Sequence, residues 1–283
     1  MTYSDALKYG DGILSDAGIE EHALDSRLLL EHISGKDRTF ILTRGDEESL
    51  SAEEEERYEE ALKKRSGRYP LQLITGRTVF MGLSFLVSDK VLIPRIDTEF
   101  LVEEALKDVC DGADVLDMCT GSGCILLSLM KYKNDIRGTG ADISEEALSL
   151  ARRNAEELGV RDAQFTKSDL FREINGRFDH ILCNPPYIKS KEIEGLMEEV
   201  KLHEPHNALD GGEDGLLFYR EIAAKAGEYL CDGGSLFLEI GYDQGSAVSA
   251  LLESAGFSHI EVLKDYSGNE RVVKCLKSLR KQS

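Results

Sequence analysis

The sequence predicts an α/β protein: a mostly parallel seven-stranded sheet with helices on both faces, preceded by a small all-helical domain. Three observations carry this reading. From residue 113 onward, strand-like apolar runs alternate with helical runs, the pattern of a sheet whose parallel neighbours are joined by helical crossovers. Residues 1–68 instead place apolar residues at helical spacing and are poor in strand signals. Between the two, short β-type runs punctuated by Pro70, Gly76 and Gly82 read as a hairpin connector. The expected division is therefore a helical domain at 1–69, a β-hairpin linker at 70–93 and an α/β domain at 94–283.

Each element follows from local chemistry. Leu7, Ile13 and Leu14, then Ala23, Leu24, Leu28 to Leu30 and Ile33, recur at near-helical spacing, with Gly18 and Gly35 as stop signals. Ser51-Ala52-Glu53-Glu54 has the form of a capping box, so a charged helix is expected from there to about Lys64. Its acidic run Glu53 to Glu56 reads as a solvated face, and the basic clusters Lys63-Lys64-Arg65 and Arg280-Lys281 read as solvated helix and tail charges. Thr78 to Met81 and Leu83 to Val87 supply the hairpin. Strands are expected at 113–117, 136–142, 162–167, 178–183, 234–241, 258–264 and 271–276. The long insertion 185–214, holding Tyr187, His203 and the turn from Asn207 to Gly212, reads as a lid that shapes a substrate site.

Composition narrows the function. With 34 basic and 53 acidic residues the net charge is −19, which argues against a protein that works by neutralising phosphates on duplex DNA. No apolar run approaches the roughly 20 residues needed to span a bilayer, and the N-terminus lacks a charged-then-apolar signal pattern. A cytoplasmic protein without a membrane segment is expected. Cys110, Cys119, Cys124, Cys183, Cys231 and Cys275 show no C-x-x-C spacing and read as reduced thiols. His203 and His206 flank Glu204-Pro205, which is not a zinc helix, so no metal is expected.

The chemistry concentrates at strand ends. Phe178 to Cys183 runs into Asn184-Pro185-Pro186-Tyr187, a stiff loop placed where open α/β sheets bind ligands. Two prolines fix φ and contribute no N–H. The Asn184 side-chain oxygen and the Pro185 carbonyl can then accept the two hydrogens of a planar –NH2 group, with Tyr187 stacking on its plane. That group can belong to a carboxamide or a nucleobase. Upstream, the strand ending at Asp117 leads into Cys119-Thr120-Gly121-Ser122-Gly123 and a helical run. Gly121 and Gly123 allow close backbone approach to a ligand, although G-x-G alone is weak evidence. The next strand ends in Asp142, suited to ribose hydroxyls, and the third runs into Asp169 and Leu170, suited to an adenine amino group and its ring face. No phosphate-binding G-x-x-x-x-G-K-[ST] occurs.

This set, D-x-x-T-G-S-G, an acid after the second strand, S-D after the third and N-P-P-Y after the fourth, resembles class I S-adenosylmethionine-dependent methyltransferases that alkylate planar nitrogens. The closer resemblance is to the HemK/PrmC-like protein glutamine methyltransferases of peptide chain release factors. Pro94 to Glu99, Glu204 to Leu209, Asp214-Gly215-Leu216, Phe218-Tyr219-Arg220 and Asn269-Glu270-Arg271 carry it, over nearly the whole chain. The resemblance implies a Rossmann-like seven-stranded methyltransferase domain, an N-terminal substrate-recognition domain and the donor S-adenosylmethionine. It implies N5 methylation of the glutamine in a Gly-Gly-Gln segment of a release factor, by a monomer without direct nucleic-acid contact. Catalytic roles fall to Asn184, Pro185 and Tyr187, and substrate binding to these with Pro186. Donor contacts fall to Cys119, Thr120, Gly121, Ser122, Gly123, Asp142, Asp169, Leu170 and Asn184, with Thr98 or Arg95 helping to close the donor pocket. Three departures stand out: Cys119 for a usual glycine, Ile96 for a usual proline and Leu170 for a frequent aromatic. An amino-methyltransferase acting on adenine or guanine of nucleic acid is the alternative, and a nicotinamide-dependent dehydrogenase or a non-catalytic donor-binding module the further ones.

Overall fold

The computed structural model describes residues 1–278; the basic pair Arg280-Lys281 lies outside the described residues. The chain divides into two units, Met1–Arg77 with Met197–His203, and Thr78–Leu196 with the chain from Glu204 onward.

In the first unit the capping signals act as written. Helices Tyr3–Asp16, His22–Ser34, Arg38–Arg44, Ala52–Ser66 and Leu71–Thr75 pack around Leu14, Ile19, Leu29, Leu30, Tyr58 and Leu62. Ser51 and Glu54 form the full capping box, and Gly35 ends the second helix in the left-handed conformation at φ 65°. Gly10 sits inside the first helix because any Cβ there would meet the Tyr58 hydroxyl, which is held by the Ser26 hydroxyl at 2.8 Å. The unit extends beyond residue 69 because Leu71 and Ile74 of the last short helix pack on the same core. Arg65 is not a solvated charge: only 11% exposed, it pairs with buried Asp25 at 2.7 Å and with Glu199 at 3.1 Å.

The second unit starts with a hairpin, β1 (Arg77–Phe80) and β2 (Leu83–Leu86). It is tied to the following helices: Met81 N–H donates to Glu99, Leu86 N–H to Asn154 and the Tyr132 hydroxyl to the Met81 carbonyl. The main sheet holds β3 (Asp114–Met118), β4 (Arg137–Asp142), β5 (Gln164–Lys167), β6 (Phe178–Cys183), β7 (Leu230–Glu239), β8 (Phe257–Lys264) and β9 (Glu270–Lys277), in the order β5-β4-β3-β6-β7-β9-β8. Strands β3 to β7 are parallel, whereas β9 runs antiparallel to both its neighbours. β7 begins earlier than the expected 234, because Gly233 and Gly234 make an irregularity within the strand rather than a turn before it.

Neighbouring residues of one strand feed opposite cores, as a doubly covered sheet requires. Leu116, Ile181 and Leu236 face helices Leu217–Tyr229 and Gly245–Ser254, while Val115, Leu182 and Phe237 face helices Ile96–Asp108 and Cys124–Tyr132. The chain goes from β3 outward to β4 and β5, then returns to place β6 on the other side of β3. That reversal opens a crevice beyond the carboxyl ends of β3 and β6, the position where such sheets take ligands.

Candidate active site

A cavity occupies this crevice. Its walls come from the loops after β3 (Cys119 to Ser122), β4 (Asp142 to Ser144), β5 (Ser168 to Leu170) and β6 (Asn184, Pro186), with Val91 to Arg95, Thr98, Pro205, Asn207, Ala208 and Phe218 closing it.

The loop after β3 is strained and braced from below. Cys119, Gly121 and Gly123 all have positive φ, at 58°, 55° and 80°. At Gly123 a Cβ would also crowd Ala151 and Leu127, so this glycine packs the helix Cys124–Tyr132 against its neighbour and does not line the cavity. Asp117 is fully buried beneath the loop. It accepts from the Thr120 hydroxyl at 2.5 Å and the Leu126 N–H at 3.3 Å, and burial pushes its pKa up to about 7. Asp142 joins two loops, accepting from Gly121 N–H and Ser144 N–H, both at 2.9 Å. Burial raises its pKa as well, yet each oxygen keeps lone-pair capacity toward the cavity. Ser144 itself caps the next helix. Asp169 lies on the lining and pairs with Arg172 at 2.6 Å, while Leu170 is buried at φ 48°.

The loop after β6 is held from behind. Asn184 Nδ2 donates to Thr98 Oγ1 at 3.1 Å. Pro185 is buried and Pro186 lines the cavity. Tyr187 differs from the expectation. It does not line the cavity as a stacking platform; its hydroxyl donates to Glu239 Oε1 at 3.3 Å and its ring packs on the core. Burial raises its pKa, so it is a neutral donor to a buried carboxyl. The backbone of this loop is clamped by Gln244, whose Nε2 donates to the Tyr187 and Gly215 carbonyls at 3.0 and 3.2 Å. Gly211 must lack a side chain because a Cβ would sit 2.7 Å from the Tyr187 Cα.

The insertion 185–214 is ordered rather than loop-like. It contains short helical turns at Ser190–Gly195, Glu198–His203 and His206–Ala208, and Ile188 bridges Asp210. Arg95 ion-pairs with Glu204, a carboxyl whose pKa burial raises. Thus Arg95 does lie on the lining, with its charge already compensated. Among the described residues no group of three metal-ligating side chains comes together. The lining suits an adenosine-type ligand without phosphates: Asp142 and Asp169 face it, apolar Val91, Ile93, Ile143 and Leu170 surround it, and Lys90 is the remaining cation.

Sheet order, cavity and loop chemistry define a methyltransferase of the α/β class, and comparisons with known proteins agree. A methyltransferase from Pyrococcus furiosus shares the fold with a TM-score of 0.53 at 20% identity, over 70% of this chain and 91% of its own. Residues 94–218 match the methyltransferase small domain and residues 5–76 the PrmC N-terminal domain. A release factor glutamine methyltransferase of Clostridium botulinum is 40% identical over 98% of this chain and 100% of its own. That of Agrobacterium fabrum is 41% identical over 92% of each. The chain belongs to the release factor glutamine methyltransferase family.

Asp117 and Glu239 were not among the expected site residues. Asp117 carried a signal, as the first letter of D-x-x-T-G-S-G. Glu239 carried none beyond an acid in an otherwise apolar strand, Leu236-Phe237-Leu238-Glu239.

Proposed function

We propose that this enzyme transfers a methyl group from S-adenosylmethionine to the side-chain amide nitrogen of a glutamine in a peptide chain release factor, the glutamine of its Gly-Gly-Gln segment. One observation carries the reading: Asn184, which can accept from an amide NH2, lines the same cavity as the acids Asp142 and Asp169. Bound S-adenosylmethionine supplies an electrophilic methyl group on a cationic sulfur. Asp142 accepts from ribose hydroxyls, Asp169 from the adenine amino group, and Leu170 covers the ring. Cys119, Thr120, Gly121 and Ser122 form the adjoining wall, with Gly123 setting its turn. Asn184 Oδ1 and the Pro185 carbonyl accept the two amide hydrogens, Pro186 stiffens the loop, and Tyr187 anchors its far end. In this reading the two acceptors meet the positive charge that develops on nitrogen as it is alkylated, and they orient it for attack. The amide proton leaves to water, so no His or Lys base is required.

The helical domain is assigned to substrate recognition, the hairpin region to linkage and the α/β domain to catalysis. The same reading makes the enzyme a cytoplasmic monomer without direct nucleic-acid contact, and the net charge of −19 supports the last point. Mass spectrometry of a release factor incubated with enzyme and donor tests the whole: one methyl group is expected on the glutamine of the Gly-Gly-Gln peptide. Replacing Asn184 with Ala is expected to lower turnover by about 10²-fold or more, the scale of losing a placed hydrogen-bonding group. Affinity for S-adenosylhomocysteine should change little. An unmodified glutamine, or normal turnover in the variant, overturns the assignment.

A further inference from the structure

The Asn184 amide has two ends of opposite use, an oxygen that accepts and a nitrogen that donates. Substrate NH2 needs the oxygen, and nothing in Asn-Pro-Pro-Tyr itself chooses which end faces the cavity. We propose that Thr98 and Glu239 are positioning residues that fix the Asn184 amide with its oxygen toward the cavity, an inference that rests on the glutamine-methylation reading above.

The direction follows from proton counting. Thr98, in the first turn of helix Ile96–Asp108, is 2% exposed and takes Asn184 Nδ2 at 3.1 Å. Its hydroxyl has one proton to give. The Glu239 carboxyl is 1% exposed at the end of β7, and the Thr98 hydroxyl helps to hold its pKa down. Glu239 Oε2 is buried and has no hydrogen bond of standard geometry, so it is open to that proton. An ionised carboxylate only accepts. The Thr98 proton therefore points to Glu239, the Thr98 lone pairs face Asn184, and the amide must present its nitrogen inward. Oδ1 is left for the substrate. Through Oε1 the same carboxyl takes the Tyr187 hydroxyl, so one buried group holds both ends of the tetrapeptide.

The charges around Glu239 set when this holds. Tyr187 after β6 donates to it, the Tyr219 hydroxyl binds the Glu239 backbone carbonyl, and the charges of Arg271 in β9 and Asp97 beside Thr98 act on it, as its own charge acts on Tyr219 and Cys124. Arg271 is itself paired with Asp97 at 2.9 Å and Asp265 at 3.2 Å. Burial pushes the Glu239 pKa up to about 7, while Thr98, Arg271 and Tyr187 pull it down. Above that value the carboxylate orders the chain. Below it a protonated carboxyl can donate to Thr98, the hydroxyl can turn to Asn184, and the amide can reverse.

Thr98→Val, Thr98→Ser and Glu239→Gln, with Asn184→Ala as the reference, test this by kcat, KM for the release factor and calorimetric affinity for S-adenosylhomocysteine. Thr98→Val is expected to lose about ten- to a hundredfold in kcat, the cost of a small misplacement at a reacting centre, with analogue affinity kept. Thr98→Ser should restore most of it. Added to Asn184→Ala, the Val change should cost nothing further, since residues acting through one group are not additive. Wild-type kcat should fall as pH drops through about 7, and Glu239→Gln, which still offers an acceptor, should flatten that limb. Additive losses in the double variant, failure of Ser to rescue, or an unchanged acid limb in Glu239→Gln would each overturn the relay. Absence of wild-type glutamine methylation would overturn instead the reading beneath it.

Discussion

Cys119 shows how a single residue records a constraint. It follows β3 at φ 58°, a conformation that costs a residue with a Cβ on the order of 1–2 kcal/mol. Glycine, the residue that the family resemblance leads one to expect here, escapes that cost. Cys119→Gly is therefore expected to raise stability by about 1 kcal/mol, less the entropy that glycine adds to the unfolded chain. Urea unfolding checks the value, and a loss of stability would show that the thiol's packing outweighs the strain. At this scale the strand-end residues Asn184, Asp142 and Asp169 were legible in the sequence, because position after a strand dictates proximity to the crevice. Tyr187 follows β6 in the sequence, but its ring lies on the core and not on the cavity lining. Its direction depends on Glu239, which lies on a strand far away in sequence and looks like any other strand residue until the sheet register is known.

Among the elements, the helix Ile96–Asp108 is informative because it starts without a side-chain cap and with Ile96 80% exposed. The residue before it, Arg95, has φ −101° and ψ 144°, the extended conformation that a following proline requires. The first helical N–H has no partner within its helix, so proline loses nothing there. Ile96→Pro is expected to stabilise by about 0.4–1 kcal/mol through the unfolded chain, read as a higher melting temperature with unchanged turnover. A lower melting temperature would mean that Ile96 makes a contact that exposure conceals. The element order was readable from alternation alone, and the hairpin from its punctuation. The short turns inside 185–214 were not, because Arg95 with Glu204 and Gln244 with Tyr187 are partners separated by long stretches of chain. No local period announces such pairs.

For the whole molecule, two separate cores suggest two separate stabilities. One is built on Leu14, Leu29, Tyr58 and Leu62, the other on the two faces of the main sheet. Only the second contains the cavity. Calorimetry is expected to resolve a transition that S-adenosylhomocysteine raises, by about 2.7 kcal/mol at a hundredfold excess over Kd, and another that it leaves in place. One transition moving as a unit would show instead that the cores unfold together. The position of β9 has a consequence for biosynthesis. β9 follows every other strand of the described residues, yet it occupies an interior place between β7 and β8. Until it emerges, β7 presents an open edge beside Glu239, and Arg271 is absent from Asp97. A nascent chain lacking β9 thus holds the donor loops in sequence but not a finished catalytic wall, and it exposes a bare strand edge to its neighbours. Pairing of β9 is then the step that covers the β7 edge and brings Arg271 to Asp97.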